Sequence, residues 1–281
     1  MPSPREFYEN GLGDRFLEAV YYSTEISSFL HSEENIVNSL SSVFDLLIEV
    51  GCMQGRYLNW AVSQSKNYLG IDIVSKYVEG GRRRISERGL CQKSYRFILG
   101  SAEEIGKLIN PAELHVSIDR CLLLFPFNSF GNIPDTASVI RNLSGCRLPF
   151  LVSSYLVSDV ATQCRTEYYR RCGYAGIQVS REEYGVCLCA SGGLRSIAFS
   201  PEYLKALFKR EGLAVAMAPL SRIGVAYGSE DIVSRSTLTH ALEMPSVRAL
   251  DSTISWGNEG SRPLDPPGRY HENPFPGNEG G

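Results

Sequence analysis

The chain has 281 residues, a formal net charge of -3, and 43% hydrophobic against 21% charged residues. That balance excludes wholesale disorder, and 28 basic against 31 acidic side chains give no basic field for nucleic acid or anionic lipid. No apolar run approaches the ~20 residues of a membrane helix, and residues 1–10 carry charges without an apolar stretch, so a cytoplasmic protein is expected.

Residues 7–43 read as helical, with Phe16, Ala19, Val20, Ile26, Phe29 and Leu30 at turn spacing, and 1–43 is expected to form an N-terminal helical cover. The pattern changes at Phe44: the run 44–50 is short, apolar and stopped by Gly51, as a strand buried in a parallel sheet should be. Helical character over 56–65 leads to a second strand at 68–73, and 76–88 reads as a basic surface helix. A third strand follows at 96–99, a fourth within 114–125 and a fifth within 148–157. This alternation implies a parallel sheet covered on both faces.

Segment 162–174 is polar and tyrosine-rich (Tyr168, Tyr169, Tyr174), suiting a helical cover, and 176–191 alternates like a hairpin. Ser200-Pro201 is a strong helix start, with Tyr203, Leu204, Leu207 and Phe208 as the buried face and Gly212 as the stop. Final strands fall within 213–227. The α/β domain is thus expected over 44–228, with 158–196 as a cover or insert. Residues 245–281, rich in proline and glycine, read as a tail with little core of its own.

Eight cysteines are scattered without any C-x-x-C pair, and the four histidines lie far apart, so reduced thiols and no metal are expected. Cys187 and Cys189 should share one face of a strand. Of the histidines, His115 lies at the wrong end of its strand and His31 on the N-terminal helix, where a surface role is preferred. Asp119 and Glu167 are further carboxylates that nothing in the pattern places at a site.

The segment Glu49-Val50-Gly51-Cys52-Met53-Gln54-Gly55 follows the first strand and opens a helix. A glycine-punctuated turn there lets a ligand approach backbone N–H groups at a helix start. Asp72 ends the next strand, where a carboxylate accepts hydroxyl hydrogen bonds from a ribose in nucleotide-binding sheets. The competing role for Asp72 is a helix cap or a solvated loop acid.

This turn, with Gly70-Ile71-Asp72 and Gly100-Ser101-Ala102-Glu103, resembles the class I S-adenosylmethionine-dependent methyltransferases over about residues 43–227. The resemblance implies an α/β Rossmann-like fold whose seven-stranded, mostly parallel sheet has its last strand antiparallel, with the helical N-terminal cover added. It implies S-adenosylmethionine as the cofactor, Glu49 and Gly51 at its amino-acid end, Asp72 at the ribose and Ser101 and Ala102 at the adenine edge, with Gly55 in the same cofactor-binding set. Phe125 stands beside that cofactor set, although ordinary core packing is preferred for its ring. Two positions depart from the family pattern: Met53 replaces the middle glycine of the turn, and Ser101 stands where an acid is frequent. The glycine spacing does not make Gly-x-Gly-x-x-Gly, which argues against a dinucleotide dehydrogenase.

A sulfonium is electrophilic at three carbons, so two reactions stay open: methyl transfer to a small molecule of specialised metabolism, or attack by the donor's own amine to give azetidine-2-carboxylate and methylthioadenosine. Phe127 follows the fourth strand, where a ring can face the sulfonium. Asn128 and Asn132 are neutral polar groups on the same turn. Phe127, Asn132, Tyr169 and Ser196 resemble the aromatic and neutral polar set of the S-adenosylmethionine-cyclising azetidine-2-carboxylate synthases. That resemblance implies that Asn132, Tyr169 and Ser196 orient a neutral amine while Phe127 and Tyr169 shield the sulfonium. Tyr21 and Tyr22 are expected to help close the pocket. A third reading is a catalytically silent binding module. The run Arg82-Arg83-Arg84 is read as a solvated helix face, not as a nucleic-acid patch.

Overall fold

The structure, a computed structural model, describes residues 4–110 and 114–234. The tail expected at 245–281 lies outside the described residues.

The N-terminal segment is helical but broken. Helix α1 (Pro4–Glu9) gives way to short 3-10 turns at Leu12–Leu17 and Ala19–Tyr21, and α2 (Thr24–Leu40) follows. Gly11, at φ 78°, starts the first 3-10 turn, and Ser23 caps α2 by accepting from the Ile26 amide. The buried stripe of α2 runs Ile26, Phe29, Leu30, Glu33, Val37, Leu40, so a carboxylate occupies a core position of an amphipathic helix.

The sheet then builds in the expected alternation: β1 (Leu46–Val50), α3 (Leu58–Ser63), β2 (Asn67–Asp72), α4 (Ser75–Glu87), β3 (Tyr95–Leu99), α5 (Ile105–Leu108), β4 (Cys121–Phe125), α6 (Thr136–Cys146), β5 (Phe150–Tyr155) and α7 (Asp159–Arg171). Next comes a separate antiparallel sheet of β6 (Gln178–Glu182), β7 (Gly185–Cys189) and β8 (Arg195–Phe199). The expected hairpin is therefore the first two strands of three. Helix α8 (Pro201–Arg210) has Ser200 as its cap, accepting from the Tyr203 amide. It buries Leu204, Leu207 and Phe208. The chain closes with β9 (Val215–Leu220), β10 (Gly224–Ser229) and α9 (Glu230–Ser234).

The main sheet has strand order β3-β2-β1-β4-β5-β10-β9, with β10 antiparallel to both its neighbours and the rest parallel. Strand order reverses at β1, between β2 and β4, and such a switch point opens a crevice at the carboxyl ends of the strands. All five residues of β1 are buried, as a strand covered on both faces requires. Leu46, Ile48 and Val50 join one core layer and Leu47 the other. Period-two alternation therefore turns Glu49 to the same side as Leu47, toward α2 and α3.

Two surface expectations are refined. Arg82 donates to the Phe97 carbonyl and Arg84 to those of Gln54 and Gly55, so two of the three arginines on α4 brace backbone. All eight cysteines are free, and the Cys187 and Cys189 sulfurs lie 3.6 Å apart on one face of β7.

Candidate active site

A cavity of about 290 Å³ lies at the switch point, floored by the turn after β1 and by the ends of β2 and β4. Gly51 (φ 71°) and Met53 (φ 49°) both take left-handed backbone in that turn. A side chain at Gly51 would be strained by its φ and would bring Cβ to 3.0 Å from the Ser129 Cβ. Met53 bears the left-handed strain as a non-glycine residue, and its N–H donates to Asp72 Oδ2 at 2.8 Å. Asp72 Oδ1 accepts from the Val74 amide at 3.0 Å. Burial raises the Asp72 carboxyl to about 6 against these donors, which favour its charge.

Glu49 is fully buried and lines the same cavity. Its Oε2 accepts from the Tyr57 amide at 3.0 Å and the Tyr68 hydroxyl at 2.6 Å, while its Oε1 has no hydrogen-bond partner. Burial pushes this carboxyl up to about 7, opposed by the hydrogen bonds from Tyr68 and Tyr57. Beside it Glu33, from α2, accepts from the Tyr57 hydroxyl at 2.9 Å and from the Phe127 amide at 2.7 Å. Glu33 thus ties the cover helix to the turns after β1 and β4. Arg56 completes the group, with its guanidinium 5.3 Å from the Phe127 ring centre and its Nε 3.9 Å from Glu33.

The loop after β4 is held in an unusual shape. Phe127 (φ 46°) and Asn128 (φ 60°) are both left-handed, and such strain persists only where the surroundings over-determine it. Asn128 Nδ2 donates to Ser196 Oγ and the Ile197 carbonyl, each at 3.1 Å, and its Oδ1 accepts from Ser154 and the Tyr155 amide. Asn132 lines the cavity, donates to the Tyr8 hydroxyl at 3.1 Å and leaves its buried Oδ1 without a partner.

The roof comes from the N-terminal segment, through Tyr8, Phe16 and Leu17. Behind Phe16 stands a cluster of rings, with Tyr168, Tyr169 and Tyr174 all within 6 Å centre to centre. Phe127 is likewise surrounded, by Tyr22, Phe29, Tyr155 and Tyr168.

No protein-family model matches this chain, and neither does any curated protein sequence. Among solved structures, a protein of Pyrococcus horikoshii superposes with a TM-score of 0.54 at 12% identity, over 77% of this chain and 97% of that one. The 1,6-didemethyltoxoflavin-N1-methyltransferase of Burkholderia thailandensis, crystallised with 1,6-didemethyltoxoflavin and S-adenosylhomocysteine, superposes with a TM-score of 0.51 at 11% identity, over 82% of this chain and 90% of that one. The chain has the class I methyltransferase fold.

Within that fold the structure gathers most of the residues read from sequence. Glu49, Gly51, Asp72, Ser101, Ala102, Phe127 and Asn132 all line the one cavity. Gly55 does not; it lines a second cavity of about 330 Å³, with Tyr22, Trp60 and Arg84. Phe125 is fully buried in the core against Phe130, the packing preferred for it from sequence. Tyr169 and Ser196 are brought together, hydroxyl to hydroxyl at 2.8 Å, but neither lines the cavity. Ser196 also receives Asn128 and Arg165, so the pair belongs to a buried network joining the β4 loop, α7 and β8.

Exposed His31 and His115 line neither cavity, and the same holds for Asp119 and Glu167. Sequence reasoning missed Tyr8, Arg56, Glu33 and Glu103. Glu33 had a signal, a carboxylate falling in the apolar stripe of α2. Glu103 hydrogen-bonds with Ser101 and lines the cavity, which puts an acid beside the position where the family pattern lacks one. Tyr8 and Arg56 carried no such mark, because each depends on how the cover folds back.

Proposed function

We propose that this chain is an S-adenosylmethionine-dependent enzyme that closes the donor's own amino-acid chain to azetidine-2-carboxylate and releases methylthioadenosine. The donor set fits this substrate. Asp72 retains lone pairs for ribose hydroxyls, and Glu103 with Ser101 suits an adenine amino group. Glu49 Oε1 and Asn132 Oδ1, both buried acceptors without partners, suit an ammonium or amine. Bound in this site, the sulfonium supplies an electrophilic γ-carbon.

The observation that carries the cyclisation reading is the roof. Tyr8, Phe16 and Leu17 bring aromatic and apolar side chains to the cavity from the N-terminal segment, and rings fill the space behind Phe16 and around Phe127. An intramolecular nucleophile needs no further room, whereas a methyl acceptor does. Phe127 and Asn132 are then the groups facing the reacting carbon, and Tyr169 with Ser196 hold the wall behind them. Shielding of this kind keeps water and foreign nucleophiles from the sulfonium.

Methyl transfer to a small molecule is the second reading. It draws on the second cavity, which shares Arg56 and Leu17 with the first and offers aromatic and charged groups to an acceptor. Incubating the pure protein with S-adenosylmethionine alone separates the two. Methylthioadenosine with azetidine-2-carboxylate is the expected result. No turnover until an acceptor is added rejects cyclisation in favour of transfer.

A further inference from the structure

We infer that Glu49 is the catalytic proton acceptor of this site, taking a proton from the substrate's α-ammonium through Oε1 before the ring closes. The inference rests on the cyclisation reading. An ammonium has no lone pair, so one proton must leave before nitrogen can attack. In this mainly apolar cavity that proton needs a resident acceptor, and the two histidines of the described residues line neither cavity.

Glu49 meets the geometric need. It lines the cavity, is fully buried, and has both of its donors, Tyr57 and Tyr68, on Oε2. The carboxylate is thereby held in one orientation while Oε1 keeps its lone pairs unused. Asp72 differs, since each of its oxygens already accepts a backbone amide.

The balance of the step is simple. Oε1 gains the proton; the freed nitrogen pair forms the bond to the γ-carbon as the carbon–sulfur bond breaks, and that pair stays on sulfur in methylthioadenosine. One proton ends on Glu49 and returns to solvent when product leaves.

The groups facing Glu49 set its basicity from several elements. Tyr68 from β2, Tyr57 from the start of α3 and Arg56 from the turn favour the carboxylate. Burial and Glu33 from α2 oppose it, and burial is the largest effect. The outcome is a carboxyl titrating at about 7, matched to a proton that leaves an amine of reference pKa ~7.7–8.0.

The test is the pH dependence of kcat/KM for methylthioadenosine release, with Glu49→Gln beside the wild type. A carboxylate that takes a proton from an ammonium lets the profile rise as the carboxyl ionises, near 7, and stay level once the amine is itself neutral. Without a resident base the enzyme must draw the neutral amine from solution, and the rise moves to the amine's own ~8. The expected result is a rise near 7 for wild type and near ~8 for Glu49→Gln, with at least ~100-fold loss of kcat in the variant, the scale of a missing general base. Methylthioadenosine, which lacks the amino-acid chain, should bind the variant within about threefold of wild type.

A wild-type profile that rises only with the amine's own ionisation, near ~8, overturns the inference even if the variant fails to fold. So does a folded variant that keeps kcat within about threefold. No product from wild type rejects the cyclisation reading itself, and this inference with it.

Discussion

At Asp72 one carboxylate braces the turn after β1 and lines the cavity, and substitution there separates charge from shape. Asp72→Asn keeps one acceptor oxygen but turns an amide N–H₂ toward either the Met53 or the Val74 N–H, donor against donor. If the ribose sits on this group, methylthioadenosine affinity should fall about 10–100-fold, the scale of a lost charge-assisted hydrogen bond, about 1.5–3 kcal/mol. Met53→Gly is the contrasting change. Its backbone N–H remains, relief of the left-handed strain is offset by the entropy of glycine, and affinity should stay within about threefold. Calorimetric titration of both variants checks the pair. Wild-type affinity in Asp72→Asn would remove the ribose from this residue.

At the scale of elements, the parallel core was legible because its strands are short, mostly apolar runs, the first three of them ended by glycine or an acid, and Ser200-Pro201 announces α8. What sequence hid was non-local. Helix α7 looks polar, yet Arg165 is fully buried, donating to the carbonyls of Val186 and Ser196 from the inserted sheet. The cover is held the same way, by contacts far apart in the chain. Asp14 accepts from Lys76 and from the Tyr77 hydroxyl on α4, Arg15 donates to the Cys172 carbonyl, and Tyr174 donates to that of Leu12. Asp14→Ala should therefore loosen the roof without unfolding the domain, because the Lys76 pair is exposed and contributes at most about 1 kcal/mol. Hydrogen exchange should speed up over 12–17 while the sheet amides hold their protection. Equal acceleration in both would mean that the cover and the sheet open as one unit.

Across the whole molecule, the two cavity carboxyls leave a signature on stability. Glu49 titrates at about 7 and Asp72 at about 6, against ordinary values of 4.5 and 3.8, and burial is the main cause for both. Between pH 4 and pH 7 the folded chain then binds more protons than the unfolded chain. The sign is fixed by linkage: stability is full below the unfolded values and is lost as pH rises through the folded ones. Each group accounts for a loss on the order of 3 kcal/mol at most across this window. The exposed carboxylate of Asp45, lowered by its hydrogen bonds from Arg120, works in the opposite direction and is screened by solvent. The ligand-free protein should consequently melt at higher temperature at pH 5 than at pH 7.5, contrary to the usual gain as paired acids ionise. Glu49→Gln carries no titrating proton, so its melting temperature should change less over the same interval. Ligand reverses the trend: an ammonium against Oε1 favours the carboxylate, so S-adenosylhomocysteine should raise the melting temperature more at pH 7 than at pH 5.5. Thermal melts of the two proteins with and without S-adenosylhomocysteine decide it, and parallel curves for wild type and variant would show that Glu49 titrates in its ordinary range.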